Sequence, residues 1–171
     1  MPVTCSVCQN PKAIYQCGLC SEPLCKDCVE LLPADTFSLL AKVSDDLKHA
    51  AYCQYCYGDT VAPALASYEE TLAKAKGIYV FYKTQRKAIP LIRKSRVNLK
   101  IENCSDRKET LLRLGFLAAQ KGFNSLVEVE LIAQKVRNHG YQTSNWTGAA
   151  FPADVNTAHV DRQYEADKVY T

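Results

Sequence analysis

What the chain lacks narrows the field first. No apolar run approaches the roughly 18 residues that a membrane-spanning helix needs. The first residues, MPVTCSVCQNPK, carry no basic start followed by an apolar stretch, so a secretory signal is not expected and a cytoplasmic location is. Glycine and proline are sparse, at 7 each in 171 residues, which excludes collagen-like and low-complexity chains. Gly-rich phosphate loops, Gly-x-Ser-x-Gly elbows and His-Glu-x-x-His helices are all absent. Of the three histidines, His139 and His159 have no nucleophile beside them in sequence, and His49 reads as a solvated side chain. Enzymatic activity is therefore not expected.

What is present is cysteine. Eight of the nine lie before residue 57, as four Cys-x-x-Cys pairs: Cys5/Cys8, Cys17/Cys20, Cys25/Cys28 and Cys53/Cys56. Without a secretory signal, that crowding reads as metal binding rather than a disulfide framework. A Cys-x-x-Cys turn aims two thiolates at one ion, and tetrahedral zinc with four sulfurs takes two such turns. Four pairs thus make two closed sites for two zinc ions. Only four residues, Ser21 to Leu24, separate the second pair from the third. So tight a connection disfavours folding those two pairs onto one ion. Interleaving places Cys5, Cys8, Cys25 and Cys28 on the first ion, and Cys17, Cys20, Cys53 and Cys56 on the second. Sequential pairing and an iron or redox role for the pairs are the alternatives. Fully coordinated zinc leaves no position for water, so the expected role is structural.

This spacing resembles the FYVE-type and RING-type cross-brace zinc fingers. The string AIYQCGLCSEPLCKDC is similar to the B-box and related treble-clef fingers, in which an aromatic precedes one pair and Leu-Cys opens the next. The resemblance implies a cross-brace module over residues 1–60. A FYVE-type member implies phosphoinositide binding. A RING-type member implies ubiquitin transfer, with Val7, Leu31 and Leu32 as an apolar patch.

Charge divides the chain at the same place. Residues 1–66 hold 4 Lys/Arg against 7 Asp/Glu, and residues 67–171 hold 17 against 11. Within the 24-residue interval before Cys53, Phe37, Leu40, Val43 and Leu47 recur at helical steps, predicting one or two short helices over the zinc core or facing a partner. Residues 61–76 read as a linker helix started by Pro63 and stopped by Gly77.

Residues 77–152 read as a small α+β domain with an antiparallel sheet in the order β-β-α-β-β. Its strands are expected in 78–84, 96–104, 125–136 and 141–151, with a helix opened by Asp106 and Glu109 as a capping box and closed by Gly122. The helix end, the string GFNSLVEVEL and the late Thr147-Gly148-Ala149 resemble the YbjQ-like family, labelled heavy-metal-binding. That resemblance implies a small sheet-and-helix unit that forms rings of subunits, hence a homo-oligomer. Cys104 is expected to be a buried core thiol. Residues 153–171 read as a flexible tail.

Between residues 83 and 100 lie seven cations and no acid: Lys83, Arg86, Lys87, Arg93, Lys94, Arg96 and Lys100. This run is a candidate site for an anionic membrane or nucleic acid; the alternative is a solvated hairpin whose charges guard a sheet edge. The expectation that follows is a non-catalytic adaptor. Its zinc module binds a protein partner, and its second domain oligomerises or adds a second surface. A RING-like ubiquitin ligase and a phosphoinositide or nucleic-acid binder are the alternatives.

Overall fold

The computed structural model describes residues 2–163 and 167–168. The chain divides into two compact units, Met1–Glu69 and Glu70–Thr171, with the division inside one long helix.

The first unit is built on two short hairpins. Strands β1 (Tyr15–Gln16) and β2 (Pro23–Leu24) pair antiparallel and carry Cys17 and Cys20 at their turn. Strands β3 (Val29–Leu31) and β4 (Ala51–Cys53) pair antiparallel and bring the third and fourth cysteine pairs together. From Cys53 the chain becomes helical, as one turn α1 (Gln54–Cys56), a π-type turn (Tyr57–Val61) and α2 (Ala62–Lys76). Pro63 therefore lies within a continuous helical run, directly after the π-type turn, rather than starting a helix as its place in the sequence predicts, and Gly77 follows the end of α2. The core here is small, with Leu24, Leu32, Phe37, Tyr52, Val61 and Tyr68 as its largest buried side chains. So few apolar groups cannot by themselves hold some 60 residues against chain entropy.

The interval between β3 and β4 is not helical as its periodicity predicted. It forms successive turns and one 3-10 turn, Asp45–Leu47. The cause is closure. Leu31 is opposite Ala51, and the Leu32 N–H donates to the Ala50 carbonyl at 3.0 Å, so both ends of the loop meet. A helix over residues 35–48 would separate its ends by about 20 Å and leave too little chain to return. The apolar residues instead pack singly under the loop: Phe37 meets Tyr68 edge to face at 5.3 Å. Two tyrosine hydroxyls pin the backbone above. Tyr52 Oη accepts from the His49 N–H at 3.1 Å and donates to the Asp46 carbonyl at 2.9 Å, and Tyr68 Oη accepts from the Leu39 N–H at 3.4 Å.

The second unit is a mixed sheet with helices, an α+β arrangement. Its strands are β5 (Tyr79–Tyr82), β6 (Leu91–Lys94), β7 (Leu99–Cys104), β8 (Ser125–Asn138), β9 (Tyr141–Val155) and β10 (Asp167–Lys168), in the order β10-β5-β8-β9-β6. Strand β7 shares the outer side of β9 with β6. The expectation of a purely antiparallel sheet fails at one place: β5 runs parallel to β8. Both strands enter the sheet from the same end, because helix α3 (Arg107–Gln120) crosses back before β8 begins. The β-β-α-β-β order also omitted β6, which falls inside the basic run, and β10. The expected tail begins inside the fold. Residues 153–155 complete β9, where Ala153 and Val155 are buried, and α4 (Thr157–Gln163) buries Val160. Residues 164–166 and 169–171 of the expected tail lie outside the described residues.

The sheet has apolar residues on both faces. On one, α3 packs Leu111, Leu114 and Ala118 against Ile78, Val80, Leu99, Leu126, Val129 and Ala150. On the other, Val160 covers Tyr79, Phe81, Val127, Ala153 and Val155. Cys104 is buried, at the end of β7. Helix α3 begins as its sequence predicted. Asp106 caps it by accepting from the Glu109 N–H at 2.7 Å, while Glu109 reaches back one residue further than a capping box requires, to the Ser105 N–H and hydroxyl at 2.8 and 2.6 Å. The Ser105 hydroxyl and N–H, with Arg113 beside them, hold the Glu109 carboxyl down at about 2.

Candidate metal centres

The first two cysteine pairs share one local design. After each pair comes a residue in the left-handed region, Gln9 (φ 62) and Ser21 (φ 62). In both, the N–H of that residue donates to the carbonyl of the leading cysteine at 3.0 Å. The leading N–H in turn donates to a carbonyl five residues on, Cys5 to Asn10 at 2.8 Å and Cys17 to Glu22 at 2.9 Å. Each forms a knuckle that turns both thiols to one side. The other two pairs are less alike. Cys25 and Cys28 close a turn in which the Cys28 N–H donates to the Cys25 carbonyl at 3.2 Å. Cys53 is the N-cap of α1, with its sulfur accepting from the Cys56 N–H at 3.4 Å.

These turns assemble two four-sulfur clusters, Cys5, Cys8, Cys25 and Cys28 in one and Cys17, Cys20, Cys53 and Cys56 in the other. In each, all four sulfurs lie within 4.8 Å of one another. The grouping is the interleaved one, with each cluster joining one knuckle to one pair from further along the chain. A tetrahedral ion bound at 2.3 Å by four sulfurs spaces them about 3.8 Å apart. Cys8 and Cys25 approach to 3.5 Å, and Cys20 and Cys53 to 3.8 Å. These separations suit ligands and are far beyond the ~2.05 Å of a disulfide. Both clusters can therefore hold metal ions.

The electrostatics point the same way. N–H groups of Cys8, Cys25 and Val7 aimed at Cys5 bring its thiol down to about 6, against some burial. At Cys17 burial pushes upward, but N–H groups of Cys20, Cys53 and Leu19 outweigh it, and the thiol again falls to about 6. The neighbouring sulfurs, Cys8 above all, push Cys28 up to about 12. Cys53 and burial push Cys56 up in the other cluster. Four thiols this close cannot all ionise without a cation among them.

Gly18, inside the second knuckle, has a packing reason to be glycine. A Cβ there would lie 2.1 Å from Cγ of His49, whose ring also meets Tyr52 edge to face. His49 is exposed on its outer side and is not among the clustered ligands. The knuckle residues Gln9 and Ser21, like Gly18, were not singled out from the sequence. The signal that could have found them is the residue following each of the first two pairs.

The basic run does not form one cationic patch. Lys83 pairs with Glu130 at 3.2 Å, Arg93 with Asp154 at 2.7 Å, Lys94 with Glu128 at 2.5 Å and Lys100 with Glu102 at 2.6 Å. Arg93 also lies over the Phe123 ring and Lys94 over Phe151. Arg86, Lys87 and Arg96 are exposed on the connections flanking β6. Acids distant in sequence thus pair with three of the seven cations, Lys83, Arg93 and Lys94.

Among the described residues, no helix is long and apolar enough to cross a membrane. What the fold and clusters define is a chain with two tetracysteine centres followed by a mixed-sheet α+β unit. Neither the models of known families, nor the curated proteins, nor the solved structures contain a match to it.

Proposed function

We propose that the first unit is a two-zinc cross-brace module that serves as a non-catalytic adaptor, binding a protein partner. The observation that carries this reading is the pair of closed four-sulfur clusters. Borderline-soft zinc suits four thiolates in tetrahedral array, and four protein ligands leave no position for a reacting water. The ions would act as staples for a core too small to stand alone. Contact then falls to the surface between the ligands, where Ile14 is 70% and Tyr55 79% exposed, with Val3, Val7 and Leu31 also outward. The second unit oligomerises or supplies a second binding surface.

Cysteine substitution by sets tests the metal reading. In native mass spectrometry the parent carries two zinc ions. Serine at Cys5, Cys8, Cys25 and Cys28 leaves one ion, whereas serine at Cys5, Cys8, Cys17 and Cys20 leaves none. The reverse pattern would establish sequential pairing, and iron or oxidised thiols in the parent would overturn the zinc reading. A ubiquitin-ligase role finds support in Val7 and Leu31, which are exposed as a conjugating-enzyme contact requires, although Leu32 is buried. Discharge of a charged conjugating enzyme by the full chain tests it.

A further inference from the structure

The longest hairpin of the second unit outruns its sheet. Strand β7 stops pairing with β9 at Trp146, and β5 stops pairing with β8 at Val129. Beyond Trp146 only β8 and β9 continue together, from Ala133↔Trp146 to Asn138↔Tyr141. A two-residue turn closes them, with His139 (φ 47) and Gly140 (φ 88) both left-handed as a tight, correctly twisted hairpin demands. At about 3.4 Å per residue this free arm reaches roughly 20 Å.

The arm's composition is unlike that of the rest of the unit. No Asp or Glu occurs from Leu131 to Ala153, while Lys135, Arg137 and His139 do. Lys83, Arg93 and Lys94 of the basic run find acids on other strands; Lys135 and Arg137 are exposed and make no ion pair among the described residues. Strand alternation puts both on the same face of the ribbon. The register sets Arg137 opposite Gln142, Lys135 opposite Ser144 and Ala133 opposite Trp146. One face therefore presents guanidinium, amide, ammonium and hydroxyl groups in two rows, with the chain's only tryptophan at its base.

We propose that this arm is a two-stranded ribbon that binds duplex DNA in its major groove. Such a groove, about 12 Å wide, admits a two-stranded ribbon. Arginine and glutamine side by side are the pair that reads guanine and adenine edges there, and lysine and serine meet phosphate oxygens. The major groove of duplex RNA is too narrow for such an arm. The assignment rests on the reading of the second unit as a binding surface and is independent of what the zinc module contacts.

The test is fluorescence anisotropy of a labelled 20-base-pair DNA duplex with the full chain. One phosphate-neutralising cation, Lys135, gives a log–log salt slope of about −0.9, so affinity should fall at least about 3.5-fold from 50 to 200 mM salt. Lys135→Ser with Arg137→Ser should weaken binding at least tenfold at 50 mM salt and flatten that slope, with the melting curve unchanged. Lys83→Ser with Lys94→Ser should leave binding within twofold. Four outcomes overturn the assignment: no duplex binding at 50 mM salt, an arm variant that binds as the parent does, binding lost only with Lys83 and Lys94, or tighter binding to duplex RNA. Zinc content measured on the same samples separates failure of this assignment from failure of the metal reading.

Discussion

Replacing Gly148 by alanine is a one-atom probe of how α3 lies on the sheet. Gly148 sits in β9 beneath the first turns of α3, and a Cβ there would be 2.5 Å from Cγ2 of Thr110 and 3.0 Å from methyls of Leu114 and Leu131. Ordinary carbon contacts begin near 3.5 Å, so the Thr110 methyl must retreat by about 1 Å. It is not free to do so, because Thr110 is fully buried and its hydroxyl donates to the Asp106 carbonyl at 2.8 Å. Rotating the side chain breaks that bond; keeping it lifts the helix. Overpacking of this kind costs about 1–3 kcal/mol, against which alanine returns roughly 0.5–1 kcal/mol by stiffening the unfolded chain. A net loss near 1–2 kcal/mol lowers the midpoint of a unit of about 100 residues by roughly 5–15 °C. Trp146, the only tryptophan, is two residues away and reports this unit by fluorescence. Thr110→Ser removes the obstructing methyl and keeps the hydroxyl, so in the Gly148→Ala background it should restore part of the loss, a coupling of about 1 kcal/mol. A Gly148→Ala protein melting within a degree of the parent, or a double variant no better than the single, refutes the packing argument.

Other expectations follow from the first unit and from α3. Gly18→Ala should lower metal uptake by the second cluster while sparing the first, because His49 stands where the methyl must go; mass spectrometry at limiting metal reads this. Tyr52→Phe should speed amide exchange at His49 and across the 32–50 loop, costing about 1 kcal/mol for the lost clamp. Glu109 has a carboxyl held near 2, well below its ordinary 4.5. Its contribution is therefore complete above pH 4.5 and disappears as pH falls toward 2. It should be on the order of 1 kcal/mol after solvent screening, and Glu109→Gln should flatten that part of the second unit's pH–stability curve. Asp106→Ala should cost the same unit about 1 kcal/mol by uncapping α3, measured by thermal melting.

Much of this architecture is written in local pattern. The cysteine pairs are recognisable because Cys-x-x-Cys is itself a turn geometry, and the four residues from Ser21 to Leu24 disfavour only the sharing of one ion by the second and third pairs; the interleaved rather than sequential grouping comes from the folded clusters. Helix α3 announces itself through Asp106, Glu109 and Gly122, and β7, β8 and β9 through alternation. What was not legible depends on partners distant in the chain. Leu91–Lys94 has no alternation and all four side chains are exposed, so only its pairing with Ala153–Val155 makes it a strand. The parallel alignment of β5 with β8 follows from the α3 crossover, which no residue of β5 encodes. The 32–50 loop has helical spacing, yet its tethered ends override the preference. The basic run misled for the same reason: its counter-charges, Glu128, Glu130 and Asp154, arrive from strands later in sequence.

Interleaving also imposes an order in time. A chain made from its N-terminus has all four sulfurs of the first centre once Cys28 has emerged, while Cys17 and Cys20 must wait for Cys53 and Cys56. Throughout that interval the waiting knuckle lies within the stretch the first centre closes, between Cys8 and Cys25, offering two competing thiols beside a complete set. The ribosome thus presents six candidate sulfurs for a four-ligand ion. Left-handed Gln9 and Ser21 close each of the first two knuckles through a hydrogen bond to its own leading cysteine, with no group from later in the chain.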